Sequence, residues 1–192
     1  MTPRKAVAQE LTREMIMDVA RGLFRERGYQ NVSMRQIAQE LNYSHGAIYY
    51  HFKNKADLFY AMVKLDFSLL DGILEEIMSR QLDPKEKLRE VLLGFIQFGL
   101  THQSHYEIMF LIKDKEVQNF MDDGPSASYE KFAKAVHSLC GNKVTLQEIW
   151  SVFLSLHGFV THYCRHCNQT FEDVRMMAES HVSFLLKALH RE

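Results

Sequence analysis

The sequence is poor in the residues that interrupt helices or crosslink a chain. Its 192 residues include only three prolines, nine glycines and three cysteines. Proline and glycine are the residues that most often end helices, so their scarcity favours long helical segments. Three cysteines do not make a disulfide framework, and we therefore expect a reducing environment such as the cytoplasm.

Long apolar runs and an excess of one charge are missing as well. No stretch reaches the roughly 20 apolar residues of a membrane span, and the N-terminus lacks the apolar run of a signal peptide, so we expect no membrane partner. The net charge is −1, but residues 1–55 contain nine Lys and Arg against five Asp and Glu. A basic segment of this kind suits phosphate binding, although so small an excess also arises by chance.

Recognisable catalytic motifs are absent too. The chain has no phosphate-binding glycine loop, no G-x-S-x-G sequence and no H-E-x-x-H sequence. We therefore predict neither enzymatic activity nor a cofactor. A helical enzyme, whose acid–base pair converges only on folding, stays open as an alternative, and so does a pure interaction module.

Apolar residues recur at three- and four-residue intervals through most of the chain, and no segment alternates as a strand does. The sequence therefore predicts an all-α fold, with a three-helix N-terminal domain (residues 1–57) and a helical C-terminal domain (residues 58–192). Capping residues mark several helix starts, among them Ser33 with Gln36, and Asn54. The predicted helices cover residues 12–27, 33–41, 44–52, 54–80, 84–102, 106–112, a segment from the Gly124–Pro125 break to Gly141, 145–167 and 171–189.

Residues 33–58 carry the clearest functional indication. Two short helices flank a tight turn, and in the second of them only Ile48 and Phe52 are plainly apolar at core spacing. Its other residues are small or have polar tips, which is what a helix needs to enter the major groove of DNA. Asn54 and Lys55, at the start of the next helix, add a phosphate-binding position through the helix dipole and a charge.

The same stretch resembles the DNA-binding domain of TetR-type repressors. Their pattern is a small hydroxyl residue that opens one helix, an Ile-Ala pair, a turn, then Ser-x-Gly-x-x-Tyr-x-x-Phe and a Lys. This sequence matches that pattern, in register, at Ser33, Ile37, Ala38, Ser44, Gly46, Tyr49, Phe52 and Lys55. The one departure is Asn42, which replaces the usual turn glycine and tolerates the positive φ of such a turn.

The resemblance implies which side chains contact DNA. Tyr49 and Lys55 would contact phosphates, His45 and its neighbours would meet base edges, and Arg35 could reach either. The full set of predicted DNA-binding residues is Ser33, Arg35, Ser44, His45, Gly46, Ala47, Tyr49, Tyr50, His51 and Lys55. The competing interpretation is that residues 49–52 form a packed aromatic cluster in an ordinary helical protein.

The resemblance also implies that the C-terminal domain binds a small-molecule effector and forms a homodimer through the last two helices. Residues 105–110, and Trp150 followed by residues 156–158, resemble one branch of the family without naming a ligand. Both last helices are apolar on more than one face, which supports pairing independently because each must be covered on more than one side. The alternative is that both helices are internal to a monomer.

An apolar chamber with a few polar groups is predicted in the C-terminal domain, as ligand sites usually have this character. The candidate lining residues are Phe95, Phe98, His102, Met109, Phe110, Phe132, Phe153 and His157. Core packing explains each of them equally well. The abundance of methionine and phenylalanine favours a hydrophobic ligand.

Residues 162–167, His-Tyr-Cys-Arg-His-Cys, have the composition of a metal or redox site. At 100° per residue, Cys164 and Cys167 fall on one side of a helix and His162 and His166 on another. Four such ligands do not converge on one ion, and we therefore predict no metal site. A redox pair of the two cysteines, or half of a site shared between subunits, stays open.

These patterns together predict a ligand-responsive transcriptional regulator, most simply a repressor that a hydrophobic molecule releases from a palindromic operator. A ligand that prefers the DNA-incompetent arrangement would release the operator by the difference in its affinity for the two states. The long helix that begins after Asn54 joins the two domains and is the expected lever. The sequence names neither the effector nor the operator, and it does not by itself decide between repression and activation.

Overall fold

The structure is a computed structural model that describes residues 10–112, 124–166 and 169–189. This described part contains helices and no strand, which confirms the predicted all-α fold. It divides into two compact units: the head, residues 10–62 with Ile112, and the body, which contains the described residues from Val63 onward except Ile112. Within these ranges, no helix combines the length and the apolar character that crossing a bilayer requires.

The head consists of short helices and the beginning of a long one. They are α1 (Arg13–Arg27), α2 (Met34–Glu40), α3 (His45–His51) and the first turns of α4 (Lys55–Ser79), with a 3₁₀ turn at Tyr29–Asn31. Along the chain, the division between the two units falls within α4, between Met62 and Val63. The predicted domain boundary after residue 57 stays a prediction.

Local signals set the ends of the head's helices. Gly28 ends α1 at a φ of 78°, a conformation that favours glycine. The Ser33 hydroxyl accepts the Gln36 amide at 3.3 Å, and the Gln36 side chain accepts the Ser33 amide at 2.7 Å, which confirms the predicted capping box. Asn42 has a φ of 58° in the turn between α2 and α3, as expected there. Asn54 caps α4 by accepting the Asp57 amide at 2.7 Å.

Each helix of the head contributes to one core. Phe24 of α1, Tyr29 of the 3₁₀ turn and Phe59 of α4 pack with ring centroids 5.1 to 5.9 Å apart. Ile37 of α2 and Ile48 of α3 are fully buried. Burying these aliphatic and aromatic side chains stabilises the head, and it fixes which face of α3 points away from the core.

The body begins with the rest of α4 and continues through helices that were mostly predicted to within a residue or two. They are α5 (Pro84–Thr101), α6 (Gln103–Tyr106), a π-helical turn (Glu107–Leu111), α7 (Gly124–Leu139), α8 (Leu146–His166) and α9 (Phe171–Leu189). Two details were wrong. The predicted helix 106–112 is mostly the π turn, and the single α turn α6 precedes it. The Gly124–Pro125 pair opens α7 and does not precede it, since proline needs no amide partner in a first turn.

Helix α5 packs against α7, α8 and α9 and forms the centre of the body. Its residues Leu88, Leu92 and Ile96 are fully buried. Gly99 lets α5 approach α8 closely, because a Cβ atom there would lie 2.4 Å from Val160 Cγ1. This tight core fixes the positions of the helices that surround the cavity of the body.

Candidate nucleic-acid interface and ligand cavity

Helix α3 presents an exposed face of small and aromatic residues. The Ser44 hydroxyl caps the helix by accepting the Ala47 amide at 3.2 Å. His45 and Gly46 are exposed, and the side chain of Tyr50 is 87% exposed, which is unusual for so large a ring. Burial of Ile48 and Phe52 in the head core therefore leaves the predicted DNA-contact residues of α3 facing outward.

The exposed rings of α3 form two aromatic pairs with each other. Tyr49, 42% exposed, packs edge to face on His45 at a centroid distance of 4.6 Å, and Tyr50 packs on His51 at 5.3 Å. A Cβ atom at Gly46 would meet nothing within 4 Å. The packing of the described residues therefore does not require a glycine there, whereas close approach to an external surface would.

Lys55 is less available than the sequence suggested. Its ammonium donates to the Tyr29 carbonyl at 2.8 Å and lies 4.1 Å from the centroid of the Tyr29 ring. The side chain is half-buried and links the start of α4 to the 3₁₀ turn. A phosphate contact by Lys55 stays a prediction, and the structure gives this residue a role in the fold of the head as well.

Arg13 is a residue of this region that the sequence did not single out. Its guanidinium donates to the His51 carbonyl and lies 4.0 Å from the centroid of the Phe52 ring. It therefore fastens the C-terminal end of α3 to α1 and brings a positive charge to that end. The contact joins residues 38 positions apart, so local sequence patterns carry no signal for it.

The other two predicted contact residues lie on or beside α2. Arg35 is exposed there, and the hydroxyl of Ser33 is engaged in the capping box. The structure thus gathers the ten predicted residues on α3 and on the helix starts beside it. These positions alone do not show which residues contact DNA, and the set stays a prediction.

The body contains an apolar cavity of about 40 Å³. It is lined by side chains of α4, α5, α7, α8 and the π turn, namely Phe67, Leu70, Asp71, Ile73, Leu74, Ile77, Val91, Phe95, Phe110, Ser128, Tyr129, Phe132 and Phe153. A cavity of this size holds no more than a few water molecules. A drug-sized ligand could enter only if some of these side chains moved, because ligand pockets are typically several hundred Å³ in volume.

The structure places only some of the predicted ligand residues at this cavity. Phe95, Phe110, Phe132 and Phe153 line it. The other four do not. Phe98 and His102 contact each other along an open groove between α4, α5 and α9, Met109 is buried in the core, and His157 lies behind the cavity wall.

His157 supports the aromatic wall from the second layer. Its ring stacks on Phe153 and packs edge to face on Phe110. Its Nδ1 atom lies 2.5 Å from the hydroxyl of Tyr106, which is fully buried. Burial raises the pKa of Tyr106 far above its ordinary value, so the phenol stays protonated.

One corner of the cavity is polar. The Ser128 hydroxyl donates to the Asp71 carboxylate, and the Lys131 ammonium lies 2.7 Å from Asp71 Oδ2 and 3.1 Å from Glu75 Oε1. These hydrogen bonds raise the pKa of Lys131. The sequence carries no local sign of this corner, because its acids and its base lie on helices far apart in the chain.

A second polar contact joins α4 to the segment before the π turn. His105 Nδ1 lies 2.8 Å from Asp66 Oδ1, and the Asp66 side chain is completely buried. His102 lies next to this pair, and burial lowers its pKa, with the nearby His105 as the second cause. A fully buried carboxylate is rare and needs such partners.

The cysteine region gives no support to metal binding or redox chemistry where the structure describes it. Cys164 is buried, its thiol lies 3.5 Å from the Gly99 carbonyl, and burial raises its pKa to about 12. Cys167 lies outside the described residues. Among the residues whose positions are described, no group of three or more His, Cys, Asp and Glu could hold a metal ion.

Helices α8 and α9 expose large apolar side chains. They include Leu146, Trp150, Leu154, Met176, Met177 and Phe184. The two helices contact each other through Phe159 and His181, whose rings stack at 5.0 Å. A Cβ atom at Gly158, on the outer face of α8, would meet nothing within 4 Å. Both helices therefore bury one face in the body and leave a second apolar face uncovered, as the sequence pattern indicated.

Comparison with known proteins shows what the head is similar to. The sequence model described as bacterial regulatory proteins, tetR family, matches residues 16–62. The HTH-type transcriptional regulator AcrR of Shigella flexneri is 36% identical over 112 residues, which cover 58% of this chain and 52% of that protein. The HTH-type transcriptional regulator SAR2658 of Staphylococcus aureus is 33% identical over 92 residues, 48% of this chain and 50% of that protein.

The fold of the whole chain is also shared. The transcriptional regulator FadR of Bacillus subtilis, solved in complex with stearoyl-CoA, aligns with a TM-score of 0.77 at 18% identity and covers 93% of this chain and 100% of that one. At this identity the likeness shows the fold alone. The chain spans about half the length of the curated relatives it matches. The head is thus similar to the tetR family of bacterial regulatory proteins, and most of the chain shares the all-helical fold of FadR.

Proposed function

We propose that the protein is a ligand-responsive transcriptional regulator that binds double-stranded DNA through α3. The exposed face of α3 is the observation that carries this proposal, because it presents Tyr49 and Tyr50 together with the small residues Gly46 and Ala47 near the start of the helix. Small residues at the start of such a helix allow close approach to base edges, and aromatic hydroxyls can reach phosphates. Since bacterial DNA lies in the cytoplasm, this is the compartment where we propose that it acts.

We propose that two copies pair through α8 and α9. Without a partner, the apolar face of these helices would remain exposed to water, and monomeric proteins rarely expose large apolar patches. Gly158 supports this arrangement because glycine weakens a helix and, among the described residues, none lies within 4 Å of its Cβ position. A second α8 approaching there would explain it. A two-fold dimer presents two α3 helices, and its operator would accordingly be a palindrome.

We propose that the cavity of the body receives a hydrophobic effector and that its binding releases DNA, so that the protein is a repressor. The apolar wall supports a hydrophobic ligand. The ligand named with the FadR structure, stearoyl-CoA, carries a long apolar chain, which supports the same class. Helix α4 contributes Phe67 to the cavity wall and its first residues to the head. It is therefore the element through which the two binding events would be coupled.

A selection from random double-stranded DNA tests the DNA-binding proposal. The full chain is expected to enrich a palindrome whose half-sites lie about 10 base pairs apart, or a multiple of that distance. Fluorescence anisotropy on the enriched sequence should then show affinity that falls steeply as salt rises. The proposal fails if the selection enriches nothing beyond what a variant with Tyr49→Phe and Tyr50→Ala enriches.

The release mechanism needs a separate measurement on the same DNA. A hydrophobic molecule that binds the body should lower operator affinity in proportion to its preference for the DNA-incompetent state. A molecule that occupies the cavity and leaves operator affinity unchanged would contradict the coupling. It would leave DNA binding itself untouched.

A further inference from the structure

The cavity of the body combines an aromatic wall with a single charged group. Its aromatic residues are Phe67, Phe95, Phe110, Tyr129, Phe132 and Phe153. Among the described residues that line it, Asp71 is the only charged one. Its side chain is 17% exposed, so the carboxylate is mostly removed from water.

The charges around Asp71 do not cancel. Lys131 neutralises part of the negative charge, but its ammonium contacts both Asp71 and Glu75, so two carboxylates share one cation. Lys131 is about half exposed and is not among the lining residues. Ser128 only donates a neutral hydrogen bond. The cavity therefore has a net negative corner, and its positive partner lies outside the wall.

The aromatic rings of the wall also favour a positively charged ligand. The face of an aromatic ring is electron-rich and attracts cations, which is strongest where the cation has lost its water. A carboxylate carried into the same cavity would lose its hydration and find no lining cation, which is costly. The wall and the corner thus favour the same kind of ligand.

We infer that this cavity selects an apolar organic cation and that Asp71 is its counter-ion. The inference rests on the proposed function, in which the cavity is the effector site, and it names the chemical class of that effector. The apolar part of the ligand displaces aromatic side chains and enlarges the cavity. Its positive group lies at the Asp71 corner, where the carboxylate keeps free lone pairs beside Ser128 and Lys131.

The chain contains a natural reporter of this event. Trp150 is its only tryptophan. The indole stacks on Phe153 with ring centroids 5.3 Å apart and packs on Tyr129 at 4.9 Å, and both of these residues line the cavity. Movement of the wall on ligand entry will therefore change the fluorescence of Trp150.

Three probes with the same ten-carbon tail and different charge test the inference on the full chain. They are decyltrimethylammonium, 1-decanol and decanoate, each titrated below its aggregation concentration while Trp150 fluorescence is followed. We expect the cation to bind about tenfold more tightly than the alcohol, as one unit charge near a partly buried carboxylate predicts, and decanoate to bind most weakly. In Asp71→Asn the preference for the cation should fall to within about twofold, with the affinity for the alcohol retained.

Glu130→Gln is the matched control, because it also removes a carboxylate paired with a lysine of α7, but this carboxylate pairs with Lys134 and lies outside the cavity wall. It should leave most of the cation preference in place. The inference is overturned if decanoate binds as tightly as the cation, if Asp71→Asn keeps the preference, or if none of the three probes binds.

Operator binding in the presence of the same probes separates this inference from the proposed function. Tight, Asp71-dependent binding of the cation without any change in operator affinity would contradict the proposed regulation and support the ligand class. Release of the operator by all three probes alike would support the regulation and overturn the ligand class.

Discussion

His105 Nδ1 lies 2.8 Å from Asp66 Oδ1. This contact joins a fully buried acid of α4 to the segment that leads into the π turn. The next residue on α4, Phe67, packs edge to face on Phe110 of that turn at 5.4 Å. Both phenylalanines line the cavity. A polar and an apolar contact thus lie side by side where a ligand entering the cavity would press.

Removing His105 should therefore affect both stability and regulation. In His105→Ala the buried carboxylate of Asp66 loses a hydrogen-bond partner, and we expect the free energy of unfolding to fall by about 1–3 kcal/mol. We also expect a bound ligand to lower operator affinity by a smaller factor, since one of the two contacts with α4 is missing. Urea denaturation measures the first effect and anisotropy with ligand measures the second.

An exposed pair provides the control for this substitution. Lys134 and Glu130 form a pair on α7 in which both side chains are largely exposed, so Lys134→Ala should change the free energy of unfolding by no more than about 0.5 kcal/mol. If His105→Ala proves as stable as Lys134→Ala, and ligand response is unchanged, the contact between His105 and Asp66 contributes to neither stability nor regulation.

Tyr49 and Lys55 should respond differently to substitution, although the sequence assigned both to phosphate contacts. Tyr49→Phe removes only an exposed hydroxyl and should leave the free energy of unfolding within about 0.5 kcal/mol of the original. If that hydroxyl contacts a phosphate, operator affinity should fall several-fold. The measurements are thermal unfolding and anisotropy on the selected operator. An unchanged affinity would remove Tyr49 from the interface.

Lys55→Ala is expected to weaken the head itself. It removes the hydrogen bond to the Tyr29 carbonyl and the contact with the Tyr29 ring, which together should cost about 1–2 kcal/mol. DNA binding by this variant must be measured well below its unfolding temperature. A Lys55→Ala protein of unaltered stability that still loses operator affinity, with a salt slope reduced by about one, would show that phosphate binding is its main role.

Local signals made the head predictable from its sequence. The capping box at Ser33 and Gln36, the left-handed Asn42 and the stop at Gly28 each depend on residues a few positions apart, and all were predicted in place. The outward face of α3 followed from helical periodicity, because burying Ile48 and Phe52 leaves little choice for the rest. The link from Lys55 to Tyr29 spans 26 positions and was not predictable in this way.

The cavity was predictable only in composition. Met109 and Phe110 are neighbours in the chain, yet one is buried in the core and the other lines the cavity. Neighbouring residues of a helix face different directions, so their shared apolar character does not tell which of the two lines the cavity. No sequence pattern indicates that Asp66 is buried, because its burial depends on how the folded helices pack around α4.

Cys164 should be unreactive in the folded protein. With a pKa of about 12 its thiolate is about one part in ten thousand at pH 8, and the side chain is buried as well. We expect iodoacetamide to modify Cys164 much more slowly than the half-buried Cys140, with urea removing the difference. Peptide mass spectrometry after timed alkylation measures both rates. Rapid modification of Cys164 in native protein would revive a redox role for it.

Gly158 offers the sharpest test of pairing through α8 and α9. Because its Cβ position is open within the chain, Gly158→Leu should fold normally and gain helix stability of about 0.5–1 kcal/mol. If a second copy approaches there, the added side chain should shift the protein from dimer to monomer in sedimentation velocity and abolish binding to a palindromic operator. Gly72→Leu, at an equally open and exposed position on α4, should leave the dimer intact. A Gly158→Leu protein that sediments as the original does would place the subunit contact elsewhere.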